Sequence, residues 1–255
     1  MMLLDIDFAK NFHDLFSFSA VVSMLTLTVM EIVLGIDNVI FIAIVAGKLP
    51  REKQARARAI GLTLALVMRI CLLISIVWIL GLNKPLFTIS GFDVTWRDII
   101  LMAGGIFLTL KTAGEINNKI KGKDDDQDMS LKKISVNTII MQIVFIDIIF
   151  SFDSILAAVT LVRNNVLIMI IAVIFAMIIM LISSGKVSDF INRHPTVKML
   201  ALAFLLMVAI FLMMDACHLD VATLKPYMYF SMAFAFAVEM LNMRMRKRDR
   251  LKKKS

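Results

Sequence analysis

Two cysteines, three histidines and four prolines are few for a chain of 255 residues. Cys71 and Cys217 stand far apart and form no CxxC pair, which excludes a paired-thiol metal or redox motif and leaves both as small core residues of apolar segments. His13 and His218 have no partner motif, and His194, just before Pro195, reads as a cap or turn residue. The start lacks the basic region of a secretory signal, because Asp5, Asp7 and Asp14 stand where Lys or Arg would be expected. Long polar stretches are scarce too, the one exception being residues 115–135. Its run Asp124-Asp125-Asp126 lacks the glycine and the spaced acids of a calcium loop and reads as a solvated linker.

Apolar residues are what the chain has in excess. They make up 60% of the sequence, where soluble domains hold roughly 45–50%, and the mean hydropathy is +0.85. Such a surplus needs a membrane. The net charge of +8 does not point to nucleic acid, because the last twelve residues alone carry eight Lys/Arg against one Asp. A basic tail directly after an apolar segment is a topology signal and a contact for anionic membrane lipid.

Seven apolar runs are long enough to cross a bilayer, at about 20 residues each. They begin near Phe18, Ala59, Asp98, Val136, Val166, Met199 and Tyr227. The segment between the second and third, Asn83 to Arg97, reads as a loop with Pro85 and Gly91. Loops after the first, third and fifth runs are basic and the others are not, which places the N-terminus outside and the C-terminus in the cytoplasm. The expected organisation is an all-α membrane protein of seven transmembrane helices. Residues 1–17 form an N-terminal extracytoplasmic segment, 18–114 a first three-helix repeat and 115–135 a cytoplasmic linker. Residues 136–217 form a second repeat of opposite orientation, 218–243 the extra helix and 244–255 the basic tail. Inverted repeats of this kind build the midplane sites of many secondary transporters.

Two matching stretches carry the chemistry. Glu31-Ile-Val-Leu-Gly35-Ile-Asp37-Asn38 lies over Asp147-Ile-Ile-Phe-Ser151-Phe-Asp153-Ser154 at an offset of 116 residues. A charged side chain at the bilayer centre costs at least about 2.5–3.5 kcal/mol on insertion scales, so intramembrane acids mark a functional site. Four carboxylates with Asn38 and Ser154, and Thr28 and Gln142 nearby, form an all-oxygen set suited to a hard or borderline divalent cation: Mg²⁺, Ca²⁺ or Mn²⁺. The 20 methionines tempt a copper reading, but they form no MxM or MxxM cluster in the doublet, and neither motif holds a His or Cys for zinc. On a straight helix Asp37 points about 120° away from Glu31. Gly35 and Ser151 are therefore expected to break the two helices so that both acids of each motif reach one ion. Arg69, midway along the second run, is a candidate counter-ion or gating element, while Asp215 and Glu239, nearer span ends, read as interfacial or packing residues.

The motifs EIVLGIDNVIF and DIIFSFDSILAA resemble the two acidic signatures of the TerC family of integral membrane proteins, and RHPTVKMLALAFL and KPYMYFSMAFAFAVEMLNMR are similar to later family segments. The resemblance covers about residues 18–245. It implies a seven-helix bacterial inner-membrane protein related to manganese exporters, with metal-site acids at Glu31, Asp37, Asp147 and Asp153.

The expected function is Mn²⁺ efflux by alternating access, with other divalent cations also compatible with the ligands. A membrane factor that loads metal onto exported proteins at the secretion machinery would use the same site. An intramembrane aspartyl protease fits poorly, since the second glycine beside Asp37 is missing and the repeat supplies more acids than a dyad requires. No enzymatic activity is expected.

Overall fold

In the computed structural model the described residues are 17–75, 85–89, 92–122, 135–162, 166–221 and 223–252. They form helices α1 (Phe18–Leu34), α2 (Ile36–Ala46), α3 (Arg51–Ile74), α4 (Trp96–Ile120), α5 (Val136–Val162), α6 (Val166–Arg193), α7 (Pro195–Ala216) and α8 (Lys225–Lys252). The chain is an all-α membrane protein. Among the described residues five helices are long and apolar enough to cross a membrane by length and composition, α1 and α2 counting together as Phe18–Ala46. Helices α5 and α8 have 27 and 28 residues, which at 1.5 Å per residue matches a bilayer in length alone. Large apolar side chains such as Leu110, Ile182 and Phe230 stand on outer faces, which suits hydrocarbon and not water.

Local chemistry sets the helix ends. Ser17 caps α1 by accepting from the Ala20 backbone N–H at 3.2 Å. Pro195 opens α7 behind His194, which occupies the N-cap position. After α7 the chain reverses through His218, whose φ of 55° is left-handed.

Several sequence expectations need correction. The segment read as a loop between the second and third spans holds an antiparallel hairpin, β1 (Pro85–Ile89) with β2 (Phe92–Thr95), in which Phe87 pairs with Val94 and Thr88 with Asp93. The Thr88 hydroxyl bonds the Asp93 carboxylate at 2.5 Å and adds a side-chain link across it. Helix α4 runs on to Ile120, past its expected end near Gly114, and α8 continues through most of the basic tail. Cys71 and Cys217 are exposed and not core residues; a thiol is apolar enough to sit on an outer helix face.

Helix α5 passes through Ser151 without interruption, so the expected break there is absent. At Gly35 the expected unwinding shrinks to one residue between α1 and α2. Its φ and ψ of −87° and −4° remain right-handed helical. The Gly35 N–H bonds the Glu31 carbonyl at 2.8 Å and the Val39 N–H bonds the Gly35 carbonyl at 3.1 Å, so the hydrogen-bond ladder carries across. Glycine stands here because α6 comes close: a Cβ at Gly35 would lie 2.5 Å from the Met180 sulfur and 2.8 Å from the Glu31 carbonyl oxygen.

The described chain divides into two compact units. One comprises residues 1–97 with 132–190, and the other 98–131 with 191–255. In the first, α3 packs along α5, and the approach is close because Gly61 has no side chain; a Cβ there would lie 2.9 Å from both Cδ1 and Cγ2 of Ile143. In the second, Gly105 of α4 meets α7, where a Cβ would lie 2.6 Å from Met213 Cγ and 2.9 Å from the Ala209 carbonyl oxygen. The Thr196 hydroxyl bonds Glu239 at 2.5 Å between α7 and α8. His218 reaches Asp98 at 3.0 Å, a partner that no motif announced.

Candidate metal centre

Every described member of the acidic doublet lies in the first unit. Glu31 ends the buried stripe of α1 that begins with Ala20, Leu27 and Thr28. Asp37 and Asn38 open α2, whose following residues are nearly all buried. Asp147, Ser151 and Ser154 fall on one side of α5, as positions four and seven apart do on a helix. Arg69 comes from α3 and is among the largest fully buried side chains.

The geometry is an ion-paired cluster. Arg69 Nη1 donates to Glu31 Oε2 at 2.5 Å and Arg69 Nη2 donates to Asp147 Oδ1 at 3.0 Å, with all three side chains no more than 3% exposed. One guanidinium thus spans carboxylates from the two matched motifs. Asn38 Nδ2 donates to the same Asp147 Oδ1 at 2.9 Å, and Ser151 Oγ donates to Asp147 Oδ2 at 3.1 Å. The Ser154 hydroxyl bonds the Ser151 carbonyl at 3.2 Å. Both oxygens of Asp147 therefore accept hydrogen bonds. Two buried acids against one buried cation leave the cluster short of positive charge when both are ionised.

In the same unit several polar atoms are buried without a hydrogen-bond partner among the described residues. Three are oxygens: Asp37 Oδ1, Asn38 Oδ1 and Gln142 Oε1. A fourth is the Arg69 Nε donor. Buried acceptors lacking any donor are uncommon and costly. A hard cation satisfies such oxygens, and the donor set is of the type that binds one.

The sequence-predicted residues are thus only partly brought together. Glu31, Asn38, Asp147 and Ser151 join through Arg69, with Ser154 beside them. Asp37 is 3% exposed and makes no hydrogen bond to any of them. The side chain of Asp153 lies outside the described residues. Among the described residues no three His, Cys, Asp or Glu side chains group closely enough to hold a metal ion. Thr28 turns inward along its own helix, its hydroxyl donating to the Met24 carbonyl at 2.8 Å. Sequence reasoning missed that Asn38 binds Asp147. A relay between an amide in one motif and the leading acid of the other is a tertiary fact, and its only sequence signal is the offset of the doublet.

Comparison with known proteins agrees with this architecture. The model of the integral membrane protein TerC family matches residues 16–254. A UPF0053 protein of Haemophilus influenzae is 42% identical over 226 residues, covering 89% of this chain and 94% of the relative. The UPF0053 inner membrane protein YgdQ of Escherichia coli is 44% identical over 226 residues, covering 89% of this chain and 93% of the relative. The UPF0053 inner membrane protein YoaE of Escherichia coli is 42% identical over 219 residues, 86% of this chain but 42% of that longer relative. No solved structure matches. With a family match over nearly its whole length and relatives of this identity, the chain belongs to the TerC family of integral membrane proteins.

Proposed function

We propose that this chain moves a divalent metal cation, Mn²⁺ foremost, out of the cytoplasm by alternating access. The observation that carries the reading is Asp37. Its carboxylate is buried, next in sequence to Asn38 of the charge cluster, and one of its oxygens has no donor among the described residues. No donor among the described residues reaches that oxygen, whereas a dication would satisfy it. Asn38 and Gln142 offer two more such oxygens, and oxygen ligands suit Mn²⁺, Mg²⁺ and Ca²⁺ better than softer metals.

Transport and not catalysis follows from the placement of the acids in lipid-embedded helices of the two matched motifs. Each compact unit takes helices from both halves of the chain, α1–α3 with α5 and α6 in one, and α4 with α7 and the extra helix α8 in the other, as spans paired by an inverted repeat would. Asp153 is assigned the place in the second motif that Asp37 holds in the first, and Ser154 that of Asn38. The alternation of basic loops supports a cytoplasmic C-terminal tail, and relatives named inner membrane proteins support the same membrane for this chain.

Inside-out vesicles carrying the protein should accumulate Mn²⁺ above empty vesicles, with Ca²⁺, Mg²⁺ and Zn²⁺ run in parallel to rank selectivity. Accumulation equal to empty vesicles for all four ions would overturn the reading.

A further inference from the structure

Arg69 stands where a cation shared by Glu31 and Asp147 would stand. Its two terminal nitrogens are divided, one to each carboxylate, and do not form the two-pronged fork onto a single acid that arginine favours for a structural pair. The carboxylates come from α1 and α5, the helices that carry the two matched motifs. A dication could not take both acids while the guanidinium holds them. The guanidinium would have to surrender the carboxylate oxygens it holds, and two positive groups that close in a dry interior repel.

The hold of Arg69 is also incomplete. Its Nε–H is buried with no acceptor among the described residues, so two of its three nitrogens carry the whole hold and the third adds nothing to it. A buried acid pair stripped of every cation is strongly disfavoured, so a carrier built on Glu31 and Asp147 needs a positive charge there in its empty form as well as in its loaded one.

We propose that Arg69 is a tethered stand-in for the cargo: its guanidinium bridges Glu31 and Asp147 when no cation is bound, yields them when a dication enters, and so lets the empty carrier close and return. This rests on the transport reading above and adds how the empty half of the cycle is completed. No bond is made or broken beyond hydrogen bonds and ion pairs. The cargo brings two positive charges, Arg69 withdraws one from the carboxylates, and the cluster becomes less negative on loading.

The test separates net flux from exchange. Full-length protein is reconstituted in liposomes and radioactive Mn²⁺ is followed in two modes, one with no cation on the far side and one with equal Mn²⁺ on both sides. Exchange needs only the loaded carrier to reorient, whereas net flux needs the empty one to return. In Arg69→Gln net flux should fall about tenfold further than exchange does, because only the empty state has lost its stabilising cation. Arg69→Lys keeps a tethered charge that cannot bridge both acids equally, so its ratio of net flux to exchange should fall between the two. Arg69→Gln protein of normal elution that keeps both modes, or loses both alike, would overturn the proposal. If that variant does not fold, an Arg69→Lys ratio equal to wild type overturns it instead. Wild-type protein that moves Mn²⁺ in neither mode is a different result, and it removes the transport reading itself.

Discussion

The contact of α3 with α5 at Gly61 gives a test with a definite magnitude. Adding one methyl in Gly61→Ala places a carbon 2.9 Å from both Cδ1 and Cγ2 of Ile143, which is only 1% exposed and has little room to retreat. Overpacking of this kind costs about 1–3 kcal/mol. The same change raises helix propensity by about 0.8–1.0 kcal/mol, so a net loss of roughly 0–2 kcal/mol is expected. Ile143→Ala alone removes both clashing atoms and leaves a cavity, at about 2–5 kcal/mol. The double variant should be less destabilised than the sum of the two by about 1–2 kcal/mol, since the new methyl then occupies vacated space. Stability of the purified protein in detergent, followed by a graded unfolding titration of all four forms, reads the coupling. Additivity within about 0.5 kcal/mol would show that these side chains do not meet, and that the register placing Arg69 of α3 against Asp147 of α5 is wrong.

Asp37→Asn should abolish cation movement while the protein inserts and unfolds as wild type, because the lost charge has no ion-pair partner among the described residues; unchanged Mn²⁺ uptake by inside-out vesicles would contradict this. Asp153→Asn should behave alike in the same assay. Gly105→Leu should destabilise more than Gly61→Ala, because its Cβ meets the backbone oxygen of Ala209 as well as Met213 and backbone gives way least; a melting temperature within a degree or so of wild type would refute the close approach of α4 to α7. Single cysteines at positions 124 and 90, in a background lacking Cys71 and Cys217, should be labelled from the cytoplasm and from outside respectively, and labelling of both from one side would overturn the alternation of basic loops.

The transmembrane helices were readable in the sequence because apolar length is a property of each segment alone. So was the location of the acids, since a carboxylate in such a segment is conspicuous wherever it points. What was not readable is who pairs with whom. Arg69 had several acids within reach of the imagination, and only the packing of α3 on α5 at Gly61 and Ile143 brings it between Glu31 and Asp147. The expected break at Ser151 came from requiring the two acids of one motif to meet. In the fold the leading acids of different motifs meet instead, which a straight α5 permits, and the Ser151 hydroxyl serves Asp147 with no freed backbone to satisfy. The hairpin was obscured by Pro85 and Gly91, read as punctuation of a loop, although Phe87 and Val94 pair across it.

The joint at Gly35 carries one more consequence. Glu31 lies a turn before it and is held by Arg69, while Asn38 lies a turn after it and is held by Asp147, itself bonded to that same arginine. The two ends of the joint are thus clamped to a single electrostatic rivet. Any bend between α1 and α2 must stretch one of these bonds, and any loosening of the rivet frees the joint. The angle between α1 and α2 and the ion pairs of Arg69 thus become one coordinate, and a change in either is felt by the other.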